Sequence, residues 1–443
     1  MKTPICDFVH RYVREDALRL HMPGHKGVSR FGPEPWDITE VEGADSLYEA
    51  ESIIRESEEN AGRLFGTKTV YSTEGSSQCI RAMVYLAALH ARSCGREPVI
   101  LAGRNAHKTF LSAAALAGMD VQWLWGSGDS YLSCRLTAEE VQTALEAALP
   151  AAVYLTTPDY LGNTVDVAAI AAVCHDHGVP LLVDNAHGAY LKFLHPSRHP
   201  MDLGADLCCD SAHKTLPGLT GTAYLHISHR APALFAEQAK NAMVLFGSTS
   251  PSYLLLASLD AVNAYLADGY PEKLTEFIRL AEATKTRLTA HGWRLTGDEP
   301  LKITLCTKAF GYTGRQAADL LLKKNIVCEF SDADYLVMML TPEIGAAGLE
   351  RLETALLSVP RKAPLLAVPP QLHRAECVMS VREAVLSPCE IVPAAKSVGR
   401  VLAAASVGCP PAVPIVVCGE RIDAAAAACF AYYGIESVTV IRE

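Results

Sequence analysis

The strongest constraint on the fold is a regular alternation of short apolar segments with longer amphipathic segments between about residues 60 and 227. The short segments are rich in β-branched and apolar residues, as strands are, and the longer ones have helical periodicity. Seven strands are predicted at 69–72, 98–102, 121–125, 152–156, 181–184, 207–210 and 222–227, with helices at 77–92, 108–117, 137–149 and 167–177. This order predicts an α/β fold with a mostly parallel seven-stranded sheet covered by helices on both faces.

The remainder of the chain predicts further domains. A long helical region at 252–291 is followed by strand, helix, strand and helix at 302–306, 314–324, 335–340 and 342–357. Four prolines within 360–371 indicate a linker, and the tail contains helices and an apolar strand at 415–418. We therefore expect an N-terminal segment at 1–60, a large domain at 61–260, a smaller α/β domain at 261–360 and a small C-terminal α+β domain at 372–443.

Composition and charge exclude several classes of protein. Half of the 443 residues are apolar, which is enough for a large core, and the formal charge of −10 without a basic run argues against nucleic-acid binding. No run reaches the roughly 18 apolar residues of a membrane span. The first residues also lack the apolar segment of a secretory signal, so we expect a cytoplasmic protein.

The cysteines and histidines are the residue types that would bind a transition metal. The 14 cysteines are scattered and form no Cys-x-x-Cys pair, which is typical of reduced thiols in the cytoplasm. His175 with His177, and His195 with His199, are the nearest candidates for a metal pair, but neither lies in a spacing typical of zinc sites. We therefore predict no metal.

Lys214 follows one of the predicted strands in the sequence Ser211-Ala-His-Lys. A lysine at a strand end can be desolvated, which favours the free amine that forms an imine with an aldehyde. Ser211 and His213 could donate hydrogen bonds to a phosphate. From the spacing alone, a solvated loop lysine is the better explanation.

Two other strand ends carry complementary groups. Asp184 ends an apolar strand and could keep a heterocyclic nitrogen protonated, although a helix-capping role is an alternative. Gly75, Ser76 and Ser77 form a small-residue turn before a helix, which suits an anion, although ordinary capping is an alternative. Together, a phosphate turn, a carboxylate and a strand-end lysine are what a pyridoxal phosphate site requires.

The sequence resembles the Orn/Lys/Arg decarboxylase family of pyridoxal-phosphate enzymes, in its short form without an N-terminal wing domain. The matching stretches are His-Met-Pro-Gly-His-Lys at 21–26, Arg-Asn-Ala-His-Lys at 104–108, Thr-Pro-Asp-Tyr-Leu-Gly at 157–162, Asp-Asn-Ala-His-Gly at 184–188, Ser-Ala-His-Lys at 211–214 and Ser-Thr-Ser-Pro-Ser-Tyr-Leu-Leu-Leu-Ala-Ser-Leu-Asp at 248–260. The resemblance implies an aspartate-aminotransferase-like (fold type I) large domain. It also implies that the tail is the family's small C-terminal domain.

The resemblance also implies roles for individual residues. Lys214 is expected to form the Schiff base with pyridoxal 5'-phosphate, Asp184 to pair with the ring nitrogen and His107 to stack on the ring. His187 is expected near the ring oxygen, and Lys214 or His213 is expected to return a proton to Cα. Phosphate contacts are expected from Gly75, Ser76, Ser77, Ser211 and His213. Ser250 or Ser252 is expected to reach the phosphate in a neighbouring subunit, which implies a homodimer with shared active sites.

The implied reaction is decarboxylation of a small basic amino acid to an amine and CO₂, with arginine the first candidate and lysine or ornithine next. Such an amine would be a polyamine precursor. Candidate substrate residues are His25, Asp45 and Glu329, because a cationic side chain needs acceptors at its distal end.

The sequence departs from the family pattern at four positions, Ser46, Tyr48, Glu74 and Asn185, which puts the substrate in doubt more than the cofactor. Asn185 stands where glutamate is more usual. Alternatives are an aminotransferase or lyase on the same fold, or a catalytically weak homologue that regulates a true decarboxylase. An aminotransferase would grip the substrate carboxylate with an arginine, for which Arg315, Arg351 and Arg361 are available.

Overall fold

The computed structural model describes residues 1–128, 130–371, 374–404 and 412–442. Parts of the predicted C-terminal domain, namely 372–373, 405–411 and 443, lie outside the described residues. Within the described ranges, none of the helices combines the length and the apolar character that crossing a lipid bilayer requires.

The central sheet has seven strands in the order β1-β7-β6-β5-β4-β2-β3. Their bounds are β1 Lys68–Ser72, β2 Val99–Gly103, β3 Asp120–Leu124, β4 Ala152–Thr156, β5 Leu181–Asp184, β6 Leu207–Asp210 and β7 Ala223–Ile227. β2 pairs parallel with β3, and β5 with β6, while β7 runs antiparallel to both β1 and β6. All seven predicted strands are confirmed, with bounds that differ by no more than one residue.

Helices lie between most of these strands, as predicted. In the first part of the chain they are α1 Pro4–Arg14, α2 Ile53–Phe65, α3 Ser76–Ser93, α4 Lys108–Ala117, α5 Ala138–Ala147, α6 Val167–Asp176, the short α7 Ala212–Thr215, α8 Ala233–Val244, α9 Tyr253–Leu266 and α10 Tyr270–His291. Strands β5, β6 and β7 are buried along their whole length, which explains their continuous apolar sequences.

Contacts divide the described chain into two compact units. The first unit comprises 1–97, 151–153 and 167–273. In it, Phe65 at the end of α2 packs against Phe193 and His226, with ring centroids 5.6 and 4.4 Å apart. Aromatic contacts thus fill the core beneath β7.

The second unit comprises 98–150, 154–166 and 274–443. It contains an antiparallel four-stranded sheet in the order β10-β11-β9-β8 and a two-stranded antiparallel sheet of β12 and β13. The bounds are β8 Leu295–Thr296, β9 Lys302–Cys306, β10 Phe330–Ser331, β11 Tyr335–Met339, β12 Cys389–Pro393 and β13 Ser437–Ile441. The helices are α11 Gly314–Leu322, α12 Gly345–Leu357, α13 Val381–Leu386 and α14 Ala424–Tyr433.

The predicted strand at 415–418 is wrong. The segment is buried, which explains its apolar sequence, but it forms turns instead of a strand. The carbonyl of Ile415 accepts a hydrogen bond from Arg104, and the N–H of Val417 donates to Glu420. Side chains therefore satisfy backbone groups that a neighbouring strand would otherwise satisfy.

Candidate active site

Lys214 lies in the short α7 that follows β6, in the first unit. Its Nζ lies 3.1 Å from Nε2 of His187, which is itself buried. Lys214 is half-buried, so the lysine predicted from its position after a strand is not a freely solvated loop residue. The contact holds the amine at a defined place instead of leaving it to rotate in water.

His213, the neighbouring residue, is half-buried with Nδ1 2.9 Å from the carbonyl oxygen of Thr222. Because a carbonyl only accepts, Nδ1 must carry the proton in this contact. Burial lowers the pKa of His213, and the nearby charge of Lys214 lowers it further, against the opposing effect of the Thr222 hydrogen bond. His213 is therefore a neutral imidazole at neutral pH.

The turn between β1 and α3 has the features of an anion site. Gly75 has a φ of +70°, which favours glycine, and its N–H donates to the carbonyl of Gly221 at 2.7 Å. The first turn of α3 contains no acidic residue, so its helix dipole is not neutralised there. Ser211 donates to Ser76 at 2.9 Å between the two hydroxyl oxygens, which joins this turn to the loop carrying Lys214.

Asp184, at the end of β5, is 3% exposed. Its carboxylate accepts a hydrogen bond from the N–H of Ala186 at 3.1 Å and from the thiol of Cys209 at 3.5 Å. The alternative of helix capping does not describe it, because no α-helix begins at this point. A buried carboxylate thus lies three residues before His187, the partner of Lys214.

A buried polar network centred on Asp210, at the end of β6, was not predicted from the sequence. Asp210 is fully buried, and its Oδ2 accepts from Nε2 of His199 at 2.9 Å and of His226 at 3.1 Å. Asn185 donates to the other oxygen at 2.7 Å. Burial by itself would raise the pKa of Asp210, but charge and hydrogen-bond interactions with both histidines lower it overall.

This network includes His199, one of the candidate metal ligands. Among the described residues, one group, His199, Cys208 and Asp210, has ligand atoms within 4.8 Å of one another. His199 already donates to Asp210, and burial raises the pKa of the Cys208 thiol well above its usual range. The cluster is therefore accounted for by hydrogen bonding. Nε2 of His175 contacts Asp206, and Nδ1 of His177 contacts the carbonyl of Val173.

His107 caps the N-terminus of α4 in the second unit. Its Nδ1 accepts from the N–H of Thr109 at 3.1 Å, so the neutral imidazole carries its proton on Nε2. The side chain is half-buried. The structure thus gives His107 a fixed orientation at the carboxyl end of β2.

Two of the candidate substrate residues have structural partners in the first unit. Asp45 is buried, and its carboxylate accepts from the backbone N–H groups of Glu51, Ser52 and Ile54 at 2.8–3.0 Å. Burial raises the pKa of Asp45, but these hydrogen bonds lower it overall. His25 contacts Asp37, with Nε2 3.2 Å from Oδ2.

Glu329, the third candidate, is exposed on the second unit and accepts from the hydroxyl of Tyr160 at 2.7 Å. It lines a cavity of about 700 Å³ together with Asp319, Asp332 and Arg315. Three carboxylates and one guanidinium give this cavity an acidic wall. Tyr160 belongs to a stretch that the sequence analysis singled out, but its partnership with Glu329 was not predicted.

The remaining predicted residues lie in the first unit. Ser250 is exposed, and Ser252 is half-buried at the N-cap of α9. Of the departures from the family pattern, Tyr48 accepts from Gln78 at 2.9 Å, while Asn185 belongs to the Asp210 network.

Comparisons with known proteins show the family to which the chain belongs. The family model described as Orn/Lys/Arg decarboxylase, major domain, matches residues 3–304. An arginine decarboxylase of Bacillus subtilis is 28% identical over 456 residues, covering 95% of this chain and 91% of the relative. An arginine decarboxylase of Halalkalibacterium halodurans is also 28% identical, with the same two shares covered.

Solved structures support the fold. The lysine decarboxylase of Francisella novicida superposes with a TM-score of 0.80 at 17% identity, covering 99% of this chain and 81% of that one. The predicted fold class, an α/β fold of fold type I with a mostly parallel sheet, is confirmed. Because the family model matches more than half of its residues, the chain belongs to the Orn/Lys/Arg decarboxylase family, a family of amino-acid decarboxylases.

Proposed function

We propose that this protein decarboxylates a basic amino acid, arginine first and lysine or ornithine next, with pyridoxal 5'-phosphate bound at Lys214. One observation carries the proposal. The Lys214 amine is held by His187, and the segment that carries Lys214 is joined through Ser211 and Ser76 to the turn that would bind the phosphate. The buried carboxylate of Asp184 belongs to the same unit.

The residues fit the cofactor by their chemistry. Because the Gly75 N–H already donates to Gly221, the N–H groups and hydroxyls for a phosphate would come from Ser76 and Ser77. Asp184 offers a carboxylate for a protonated ring nitrogen. Lys214 would hold the aldehyde carbon covalently. When bound, pyridoxal phosphate supplies an electron sink for the pair of electrons left as the Cα–carboxylate bond breaks.

The protein's own residues then control protons and orientation. Asp184 would keep a proton on the ring nitrogen, and His107, with its orientation fixed by Thr109, would present its imidazole to the ring. Of the two candidate proton donors to Cα, Lys214 is favoured. His213 is neutral and its Nδ1 proton is directed to Thr222, so it is a poor acid at neutral pH.

The substrate assignment rests on relatives and charge. The curated relatives at 28% identity are named arginine decarboxylases, and Glu329 with its acidic cavity wall suits a guanidinium or ammonium group. Transamination is disfavoured because the three arginines that could bind the substrate carboxylate have other partners. Arg315 donates to the carbonyl of Tyr433, and Arg351 donates to the carbonyl of Lys324. The guanidinium of Arg361 lies over the ring of Phe310.

We also propose a homodimer with shared active sites. Five large apolar side chains between residues 18 and 31 are more than 60% exposed: Leu18, Leu20, Met22, Val28 and Phe31. Such a concentration of exposed apolar surface is typical of a protein interface. The exposed Ser250 is available to a second copy. The cytoplasmic location stays a prediction from the sequence.

The test is CO₂ release by the purified protein with pyridoxal phosphate, supplied separately with arginine, lysine, ornithine and diaminopimelate. We expect release with arginine fastest, and none from Lys214→Ala. Lys192→Ala, which removes a lysine paired with Asp202 elsewhere in the same unit, is the matched control and should retain activity. Failure of all four substrates would overturn the decarboxylase proposal.

A further inference from the structure

The C-terminal part of the chain, which lies beyond the region matched by the family model, contacts the segment that carries His107. His107 follows Arg104 by three residues and immediately precedes α4. Hydrogen bonds connect this segment to residues of 374–442 at three places: Arg104, the first turn of α4 and the last turn of α4. All of these residues belong to the second unit.

The first connection is a buried ion pair. The Arg104 guanidinium donates to Glu420 Oε2 at 3.1 Å, and also to the carbonyl oxygens of Pro414 and Ile415 at 3.1 and 3.0 Å. Arg104 and Glu420 are 8% and 3% exposed. Separating the two members of such a pair leaves a buried charge without its partner, which is strongly destabilising. The ion pair therefore holds Arg104 and Glu420 in place.

Two tryptophans complete the surroundings of Arg104. Its guanidinium carbon lies 5.3 Å from the ring centroid of Trp123 and 5.2 Å from that of Trp125. Glu420 is fixed in turn by the N–H of Val417, which donates to it at 2.8 Å. Arg104 can therefore adopt few other positions while Glu420 keeps its charge.

The other connections hold α4 at both ends. The N–H of Lys108, the residue after His107, donates to the carbonyl of Ala412 at 2.9 Å. At the far end, Arg382 donates to the carbonyl of Ala115 at 2.7 Å. Ala412 has a φ of +57°, an unfavourable conformation for alanine that surrounding contacts must stabilise. His107 therefore lies between two points, Arg104 and Lys108, that are both fixed by the C-terminal segment.

We propose that Arg104 and Glu420 are positioning residues for His107, and that the C-terminal domain contributes to the reaction by fixing the orientation of this histidine. The inference rests on the proposed function, in which His107 contacts the cofactor. It assigns a role in catalysis to a domain that holds none of the predicted catalytic residues. A displacement of reacting groups by about 1 Å can cost about 100-fold in rate, so loss of this support has a measurable effect.

A positioning role and a purely structural role for the ion pair predict different losses of kcat in variants of Glu420. If Glu420 acts through His107, then Glu420→Gln should lower kcat about 10-fold in the wild-type protein and less than about 2-fold in a His107→Ala background. If Glu420 only stabilises the fold, the loss should be the same factor in both backgrounds. Glu420→Asp, which keeps the charge, should recover part of the lost activity.

The matched control is Glu390→Gln, which removes a carboxylate paired with Arg400 in the same C-terminal region but far less buried. It should leave kcat unchanged in both backgrounds. Should Glu420→Gln fail to fold, Glu420→Asp provides the same comparison with a smaller expected loss.

A second measurement separates this inference from the proposed function. Hydrogen exchange of the protein without cofactor should show faster exchange over 104–117 in Glu420→Gln than in Glu390→Gln. Unchanged exchange there, or equal kcat losses in the two backgrounds, would overturn the positioning role. A protein that shows the exchange difference but releases no CO₂ would contradict the proposed function and the role in catalysis, while leaving the structural connection to α4 intact.

Discussion

Nζ of Lys214 and Nε2 of His187 lie 3.1 Å apart in the first unit. An ammonium can donate to the lone pair of a neutral imidazole, whereas two protonated groups would repel each other at this distance. The pair therefore favours one shared proton. His187 thereby fixes the position of the amine on which the proposed chemistry depends.

The first prediction concerns this contact. His187→Ala should lower kcat for CO₂ release by about 100-fold, because it removes the group that orients the amine and shares its proton. Steady-state kinetics with saturating cofactor would measure the loss. His175→Ala removes another histidine of the same unit, paired with Asp206, and should lower kcat less than about 2-fold. Equal losses in the two variants would contradict the role of His187.

The second prediction concerns Asp184. Asp184→Asn keeps the size of the side chain but removes the negative charge, so the ring nitrogen would lose the partner that keeps it protonated. We expect kcat to fall about 1000-fold while the cofactor remains bound through Lys214 and the phosphate turn. Kinetics together with the visible absorbance of bound cofactor would separate these effects. Retention of a tenth of the activity would contradict this account.

The third prediction is a pH dependence of stability. Burial raises the pKa of Asp332 from 3.8 to about 6, and the neighbouring Asp334 raises it further against hydrogen bonds from the backbone. The folded protein therefore prefers protonated Asp332. This contribution to stability is complete below about pH 4 and is lost as the pH rises through about 6.

Asp332→Asn should consequently be more stable than the wild type at about pH 8, by up to about 3 kcal/mol, and not at about pH 4. Urea unfolding at both values would measure the free energy of unfolding. Asp319→Asn, an exposed change on the same cavity, should show no such difference. A gain for Asp332→Asn that is the same at both pH values would contradict the assignment.

The fourth prediction concerns the proposed dimer. Phe31 is 93% exposed, so Phe31→Glu should leave the protomer folded but weaken association by about 30-fold, since burying a charge at an interface costs about 2 kcal/mol or more. Sedimentation velocity over a range of concentrations would show the change in mass. Leu366→Glu, at a residue of the predicted linker that is 89% exposed, is the control. An unchanged mass for Phe31→Glu would place the interface elsewhere.

Local sequence patterns predicted the sheet and the residues at its carboxyl edge well. Strands such as β5 and β6 are short apolar runs ending in a polar residue, and that residue must lie at the edge where the loops begin. The positions of Asp184 at the end of β5 and of Lys214 shortly after β6 are predicted in this way. No partner distant in the sequence was needed for these predictions.

Interactions between distant residues could not be predicted in the same way. Asp210 depends on His199 and His226, and nothing in the local pattern of any of these residues indicates the other two. Asp45 has the carboxylate that a cationic substrate would need. In the structure this carboxylate accepts hydrogen bonds from backbone N–H groups, such as that of Ser52. The 415–418 segment is apolar like a strand, but the carbonyl of Ile415 accepts a hydrogen bond from Arg104, a residue distant in the sequence.

The central claim is that Lys214 binds pyridoxal phosphate covalently. The direct measurement is borohydride reduction of the protein with added cofactor, followed by digestion and mass spectrometry of every lysine peptide. The account predicts a stable pyridoxyl label on Lys214 in stoichiometric amount and none in Lys214→Ala. A label on a different lysine, or no label on the wild-type protein, would contradict it.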